Sequence, residues 1–169
     1  MPRTCAVITL AEAEAVVRAA LAAAAAADLA VAVVVADPWG VPVATARMDG
    51  VPALVAAAAH GKAVTAAALG VPTGVWEERT AADPSFPATV GTVPGFTPIA
   101  GGDLVRIGGE VVGAVGVSGG TSDQDAAIAR TAGASLVQPV VDLQRRLDDG
   151  GHEGADDDDG GGPAQQPGA

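Results

Sequence analysis

The stretch 108–125, GGEVVGAVGVSGGTSDQD, constrains the fold more than any other part of the chain. Its valines between positions 111 and 117 are the β-branched residues that a half-buried strand prefers. Gly113 and Gly116 interrupt this strand where side chains would stand, which predicts a bulge or the close approach of a ligand or another backbone. The stretch therefore predicts a strand that leads through a glycine turn into a helix.

The turn and the helix start within this stretch allow two interpretations. Gly119 and Gly120 permit unusual backbone angles, and Thr121 or Ser122 can cap the helix that follows. Glycines beside a helix start expose amide donors, which suits an anionic or carbonyl ligand. The alternative is purely structural, a sheet edge that is joined to a terminal helix.

Charge and composition restrict the class of protein. At 169 residues, the chain is long enough for one domain with an ordinary core. The net charge of −11 argues against nucleic acid or an anionic membrane as a partner, because phosphate binding needs Lys and Arg. Hydrophobic residues make up 49% of the chain but aromatic ones only 2%, so the core is thin and rich in alanine. We expect part of the apolar surface to be buried in a homo-oligomer.

The sequence predicts a cytoplasmic protein. The single Cys5 cannot form an internal disulfide. The alanine run 19–27 resembles the core of a signal peptide, but Glu12 and Glu14 precede it and Asp28 ends it. The apolar stretch that continues through Ala36 contains this aspartate and is mostly alanine, which is too weakly hydrophobic for a membrane span.

Capping residues, turns and hydrophobic runs predict helices that alternate with hairpins. Thr9 and Glu12 fit a capping box at the start of the first helix. Two strands without a crossover helix between them form a hairpin, which implies an antiparallel sheet. The predicted elements are helices at 10–27, between Pro52 and Gly70, at 73–82 and at 122–146, the last with breaks at Gly133 or Pro139; strands at 30–36, 41–47, 105–107 and 111–117; and an irregular connection at 84–98.

The predicted fold is therefore α/β (α+β), with an antiparallel sheet of about five strands flanked by helices. We assign residues 1–147 to this domain. Residues 148–169, DDGGHEGADDDDGGGPAQQPGA, are acidic, rich in glycine and free of large apolar groups. This composition predicts a disordered tail.

One lysine of the middle helix is the clearest lead to a site. On a helical projection it shares a stripe with mostly apolar residues, namely Leu54, Val55, Ala58, Lys62, Thr65 and Leu69. Burying an unpaired ammonium is costly, so Lys62 needs a carboxylate, a carbonyl or an anionic ligand. Asp49, just before the helix, is the nearest candidate for a structural partner. The alternative is that Lys62 lies at the edge of the stripe and extends to water.

Arg47 and His60 are further candidates on neighbouring elements. Arg47 ends a strand beside the helix of Lys62, where it can bind a carboxylate in bidentate fashion or simply pair with Asp49. His60 projects about 160° away from Lys62 around the helix, so the two side chains do not share a pocket. The residues able to ligate a tetrapyrrole iron are His60, Met48, Cys5 and His152.

Several enzyme classes lack their motifs in this chain. The sequence has no Gly-x-Ser-x-Gly elbow, no phosphate-loop lysine motif and no dinucleotide fingerprint that follows a strand. It has no cluster of cysteine and histidine with zinc-ligand spacing. The motifs therefore favour binding over these forms of catalysis.

Three blocks of the chain together resemble one protein family. They are Gly101 and Gly102 with Gly116-Val117-Ser118-Gly119 and Asp125; Asp37 to Gly40 with Arg47-Met48-Asp49-Gly50; and Lys62-Ala63 with Thr65-Ala66. They resemble the GlcG/HbpS-like family, which is also found as the C-terminal domain of PduO-type adenosyltransferases. The resemblance covers about residues 9–136, and it departs from the family at Leu104, where a proline is usual.

The resemblance implies a profilin-like fold, a homo-oligomer and a small-molecule ligand, with haem or another tetrapyrrole as the leading choice. Ligand carboxylates would meet Lys62 and Arg47, and the glycine turns would let the backbone approach the ligand. No motif of the family places an iron ligand in this chain, and His60 is the candidate metal ligand because it is the one histidine of the predicted folded part. The expected ligand-binding residues are Arg47, Asp49, Lys62, Thr65, Gly101, Gly102, Ser118 and Gly119.

Two other functions stay open at this level. The first is a cofactor-independent enzyme or a metabolic accessory protein that acts on a small carboxylate, with Lys62 as electrophile or base and Asp49 as its partner. The second is an assembly module without a ligand pocket.

Overall fold

The computed structural model describes residues 5–90 and 92–136, and their core is one antiparallel sheet. In chain order the elements are α1 (Leu10–Ala26), β1 (Ala32–Ala36), β2 (Pro42–Arg47), α2 (Ala53–Leu69), α3 (Gly74–Ala82), α4 (Phe86–Val90), β3 (Gly102–Ile107), β4 (Glu110–Ser118) and α5 (Ser122–Gly133). The strands lie in the order β2-β1-β4-β3, and each neighbouring pair is antiparallel.

Helices cover both faces of this sheet. Successive side chains of a strand point to opposite faces. In β1, Val33 and Val35 pack in the cluster that includes α1 and α5, whereas Ala32, Val34 and Ala36 pack against α2. All five residues of β1 are buried. The central strand is therefore apolar throughout, as the hydrophobic run 30–36 predicts.

The α2 helix approaches the sheet unusually closely because glycine lies beneath it. A Cβ atom on Gly116 of β4 would collide with the carbonyl oxygen of Ala59 and lie 2.6 Å from the backbone nitrogen of Ala63. The prediction of a close backbone approach at Gly116 is therefore confirmed. With alanines on the helix and glycine on the strand, backbone packs on backbone with few large side chains between them.

The two predicted helix starts carry reciprocal caps. The Thr9 amide donates to Glu12 Oε2 at 2.8 Å, and the Glu12 amide donates to Thr9 Oγ1 at 3.3 Å. At the start of α5, Thr121 and Gln124 form the same arrangement. Capping residues of this kind satisfy amides that have no partner within the helix. The cap of α5 is thus Thr121 and not Ser122.

The structure corrects the number of strands and the predicted irregular connection. The sheet has four strands in the described ranges rather than about five. The connection predicted as irregular contains the short helix α4, and α5 ends at Gly133, one of the two predicted breaks. A Cβ on Gly133 would lie 2.6 Å from the carbonyl oxygen of Leu104, so the helix touches β3 where it ends. The predicted tail 148–169 and the predicted helix beyond Gly133 up to Arg146 fall largely outside the described residues.

The buried face of α2 also differs from the projected stripe. Leu54 and Leu69 are 81% and 44% exposed. Lys62 and Thr65 of the projected stripe are buried as predicted, and the other buried residues are Ala59, Ala63 and Ala66. The predicted stripe relied on Leu54 and Leu69, which lie near the two ends of the helix and are exposed. Most residues of the actual contact face are alanines, which do not mark one face of an alanine-rich helix in the sequence.

No single helix within residues 5–90 and 92–136 is long and apolar enough to cross a membrane. Among the helices of these ranges, α2 and α3 taken together have the required length and composition, and they are bent by 91° relative to each other.

Candidate functional site

The structure divides the candidate residues into two groups, of which the first surrounds Lys62. The Lys62 ammonium donates to Asp125 Oδ2 at 2.8 Å and to the carbonyl oxygen of Val117 at 3.0 Å. Both Lys62 and Asp125 are 2% exposed. The predicted partner Asp49 is therefore wrong, since it lies exposed in the turn after β2. The alternative in which Lys62 extends to water is wrong as well.

The buried ion pair connects three elements of the fold. Lys62 belongs to α2, Val117 to β4 and Asp125 to the first turn of α5. The second oxygen of Asp125, Oδ1, accepts from the Gly120 amide at 2.8 Å, so both oxygens of the carboxylate are engaged. A buried ion pair needs such additional hydrogen bonds to offset its desolvation. Sequence reasoning placed Asp125 at a helix start but had no signal that would join it to Lys62, 63 residues away.

The paired glycines pack around this lysine. Gly101 has a φ of +118°, and a Cβ there would lie 2.9 Å from Lys62 Nζ and 2.7 Å from the Val117 carbonyl oxygen. The next glycine, Gly102, donates its amide to Thr73 Oγ1 at 2.9 Å. Protein atoms thus already occupy the space that these glycines leave. Their small size is explained by packing around the ion pair.

Thr65, Ser118 and Gly119 also have partners in the protein. Thr65 Oγ1 accepts from the Thr97 amide at 2.8 Å and donates to the Gly95 carbonyl at 3.3 Å, which fastens the segment before β3 onto α2. Ser118 is buried at the end of β4 and lies opposite Ala32 of β1. A Cβ on Gly119 would collide with the carbonyl oxygen of Ala30.

The second group consists of Arg47 and His60, which line a groove between α2 and the outer part of the sheet. The groove has a volume of about 330 Å³. Its walls are mostly apolar, and it is lined by Ala32, Val33, Val34, Pro42, Thr45, Ala46, Arg47, Ala56 and His60. A cavity of this kind, apolar with a few polar groups, is typical of small-molecule sites.

The groove arises from the position of β2 at the edge of the sheet. Thr45 pairs with Val34 and Arg47 with Ala32, so both side chains point to the face on which α2 packs. The helix lies over the inner strands and leaves this part of β2 uncovered. From α2, Ala56 and His60 are one turn apart and form the opposite wall.

The polar groups of the groove have complementary chemistry. Arg47 Nη1 donates to the Val51 carbonyl at 3.0 Å, which holds the guanidinium near the start of α2. His60 is exposed and is the one histidine within the described ranges. As the helical projection predicts, it points away from buried Lys62. An imidazole can ligate a metal, and a guanidinium can bind a carboxylate in bidentate fashion.

The other residues proposed as iron ligands are less suitable or lie elsewhere. Met48 Sδ already accepts from the Val31 amide at 3.4 Å. Cys5 is an exposed thiol near the chain start, and His152 lies outside the described residues. Within residues 5–90 and 92–136, no three His, Cys, Asp or Glu residues are grouped as metal ligands. A metal bound here would therefore need most of its ligands from a non-protein molecule to which it is already bound.

A second cavity offers no such chemistry. It has a volume of about 220 Å³ and lies between α1 and α5. Its lining is mostly apolar, with Gln124 and Thr131 as the polar residues. Neither an amide nor a hydroxyl neutralises a carboxylate or serves as an ordinary haem ligand. The Arg47–His60 groove is thus the better candidate site.

Comparison with solved structures finds close similarity over most of the chain. The crystal structure of Klebsiella pneumoniae protein ORFY is 29% identical, with a TM-score of 0.71, and the match covers 80% of this chain and 94% of that one. A double mutant of Streptomyces reticuli HbpS is 32% identical, with a TM-score of 0.70, and 82% and 92% are covered. A PduOC–haem complex is 25% identical, with a TM-score of 0.69, and 78% and 96% are covered.

Curated proteins give no significant match to this sequence. A family model does match, over residues 8–134, and its description is "Haem degrading protein HbpS-like". This range spans all the elements from α1 to α5 and both groups of candidate residues. The chain belongs to the HbpS-like family.

Proposed function

We propose that this protein binds haem or a closely related tetrapyrrole in the Arg47–His60 groove. The observation that carries the proposal is the pairing of an accessible imidazole on α2 with a guanidinium on β2, across walls that are mostly apolar. The imidazole can ligate a metal, the guanidinium can bind an acidic substituent, and the apolar walls can pack against an apolar ring. Membership of the HbpS-like family and the PduOC–haem complex among the similar structures support the same ligand class.

In this proposal each residue has a defined role. His60 ligates the iron, Arg47 binds a carboxylate of the ligand, and the alanine and valine walls exclude water from one face of the ring. Bound haem would supply iron redox chemistry, while the chain itself binds and orients the ring. The groove is open, so it covers part of a tetrapyrrole and leaves the remainder exposed.

Chemistry on a small carboxylate with Lys62 as base or electrophile has less support. The Lys62 ammonium is buried and lies 2.8 Å from Asp125. Such an amine is engaged in a structural ion pair and is closed off from solvent. Binding in the groove therefore stands as the main proposal.

Replacing His60 by Ala is expected to abolish the Soret shift that wild-type protein produces with haemin. The reason is the loss of the imidazole ligand, which leaves only apolar contacts and Arg47 to hold the ring. The measurement is an absorbance titration of the full chain with haemin, repeated with iron-free protoporphyrin. His60→Ala should weaken haemin binding by at least about tenfold, an affinity loss of about 1.4 kcal/mol, and should leave protoporphyrin binding nearly unchanged.

His152→Ala is the matched control, because it removes the other histidine of the chain. It should bind haemin as wild type does. Arg47→Gln should weaken both haemin and protoporphyrin, because a charge-assisted hydrogen bond to a carboxylate is lost from each. A haemin spectrum that stays free-like with the wild-type chain would reject the proposed function. A Soret shift that survives in His60→Ala would reject the assigned ligand.

A further inference from the structure

A cavity at the outer edge of β3 lies apart from the Arg47–His60 groove. In the described sheet, β3 is at one end and β2 is at the other. The cavity has a volume of about 230 Å³ and lies between β3 and the end of α5. It is lined by Asp103, Leu104, Arg106, Arg130, Gly133 and Ala134. A site here would therefore be independent of the proposed function.

Two arginine side chains line this cavity. The described residues include six lysine and arginine side chains, and two of them, Arg106 and Arg130, meet at this one place. Arg106 Nη1 donates to the Gly109 carbonyl at 3.3 Å, and Arg130 lies in the last turn of α5, where a cation is favoured. Neither guanidinium forms an ion pair with a carboxylate of the described residues. Both are exposed and available to bind an anion.

Asp103 supplies the opposite charge. Its Oδ1 accepts from the Leu104 amide at 2.7 Å, and no donor of the described residues reaches Oδ2. Burial raises the pKa of the Asp103 carboxyl above its ordinary value, although the nearby guanidiniums of Arg130 and Arg106 act in the opposite direction. The arginines are thus close enough to affect Asp103 but form no ion pair with it. The cavity that all three line leaves room for a ligand between the opposite charges.

We propose that this cavity binds the charged groups of a small zwitterionic amino acid. Arg106 and Arg130 would bind its α-carboxylate, because a guanidinium holds a carboxylate through paired, charge-assisted hydrogen bonds. The α-ammonium would donate to Asp103 Oδ2. A simple anion would be repelled by Asp103, and a simple cation would be repelled by the two guanidiniums. A ligand that carries both charges has a partner for each.

The remaining walls restrict the side chain of this amino acid. The cavity is smaller than the roughly 300–1,000 Å³ of sites that take drug-sized ligands, so its ligand must be compact. Leu104, Gly133 and Ala134 add apolar or small surface and no further charge. We therefore expect a small apolar side chain, such as that of alanine.

Four molecules of similar size test the proposal. Propionate lacks the ammonium of L-alanine, ethylamine lacks its carboxylate, and lactate has a hydroxyl in place of the ammonium. The measurement is a titration of the full chain at neutral pH, followed by nuclear magnetic resonance through the amide signals of Leu104 and Gly133. L-alanine should bind at least about tenfold more tightly than each of the other three, because each of them lacks one charged contact.

Asp103→Asn distinguishes this role from a purely structural one. Asparagine keeps an oxygen that can accept from the Leu104 amide, so the thermal midpoint should stay near that of the wild type. L-alanine should bind at least about tenfold more weakly, whereas propionate should bind as tightly as before or more so, because the repelling charge is gone. Arg130→Gln should weaken both ligands. Arg79→Gln is the matched control and should weaken neither, because its guanidinium lies 4.9 Å from the centre of the Phe86 ring and outside the cavity.

Three results would overturn the proposal. The first is the absence of any shift in the Leu104 and Gly133 signals at about 10 mM L-alanine. The second is propionate, ethylamine or lactate that binds as tightly as L-alanine. The third is an Asp103→Asn variant that keeps the affinity and selectivity of the wild type. Because the two sites lie at opposite edges of the described sheet, none of these results bears on haemin binding.

Discussion

Lys62→Met is expected to lower the free energy of unfolding by about 3–5 kcal/mol, because it leaves the Asp125 carboxylate buried without its cation. Only the Gly120 amide would remain as a hydrogen-bond donor to that carboxylate. The measurement is urea denaturation followed by circular dichroism. The double variant Lys62→Met/Asp125→Leu should recover most of the loss, since both charges are then replaced by apolar groups of similar volume.

Arg18→Met serves as the control for this prediction. Arg18 and Glu14 form an ion pair at 3.9 Å on the surface of α1, with side chains 68% and 55% exposed. Exposed pairs of this kind contribute about 0–1 kcal/mol. Arg18→Met should therefore change stability very little. A similarly small effect of Lys62→Met would contradict the expectation that removing this cation leaves a costly unpaired charge at Asp125.

Gly116→Ala should destabilise the protein by about 3 kcal/mol or more, which lies at or above the usual range for overpacking. The added methyl would collide with the Ala59 carbonyl oxygen, and that atom belongs to the backbone and cannot rotate away. To accept the methyl, α2 must move off the sheet. Thermal unfolding should show a lower midpoint, and haemin binding should weaken because α2 forms one wall of the groove.

Gly74→Ala is the matched substitution. A Cβ on Gly74 would lie 3.6 Å from the Ala100 side chain, which is an ordinary van der Waals distance. Gly74 begins α3, where alanine has the better helix propensity. We expect no loss of stability at this position. If Gly116→Ala were as well tolerated as Gly74→Ala, the close contact between α2 and β4 would not be required.

Local signals in the sequence were sufficient for most of the architecture. The capping box of Thr9 and Glu12 marked the start of α1, and the hairpin around Asp37 to Gly40 marked the antiparallel pair. These signals act over a few residues and do not depend on the rest of the fold. The face of α2 was only partly predicted, because its other buried residues are alanines, which do not distinguish one face of an alanine-rich helix from another.

The site shows where sequence reasoning stops. The need of Lys62 for a partner followed from the cost of burial, but the choice of Asp125 over Asp49 depends on the order of strands in space. The glycines were compatible with either a ligand or a backbone neighbour, and the structure places backbone there. Arg47 and His60 were separate candidates, and only the edge position of β2 brings them to one groove.

The connection between Lys62 and Asp125 has a consequence for how the protein is made. On the ribosome, the first hairpin and α2 are synthesised well before β4 and α5. However, β1 pairs with β4, and Lys62 binds Asp125, which lies 63 residues later in the chain. Contacts of such long range slow folding, because a large loop must close before they form. The amino-terminal half of the nascent chain therefore has no complete core of its own, and folding is concluded only when α5 has been synthesised.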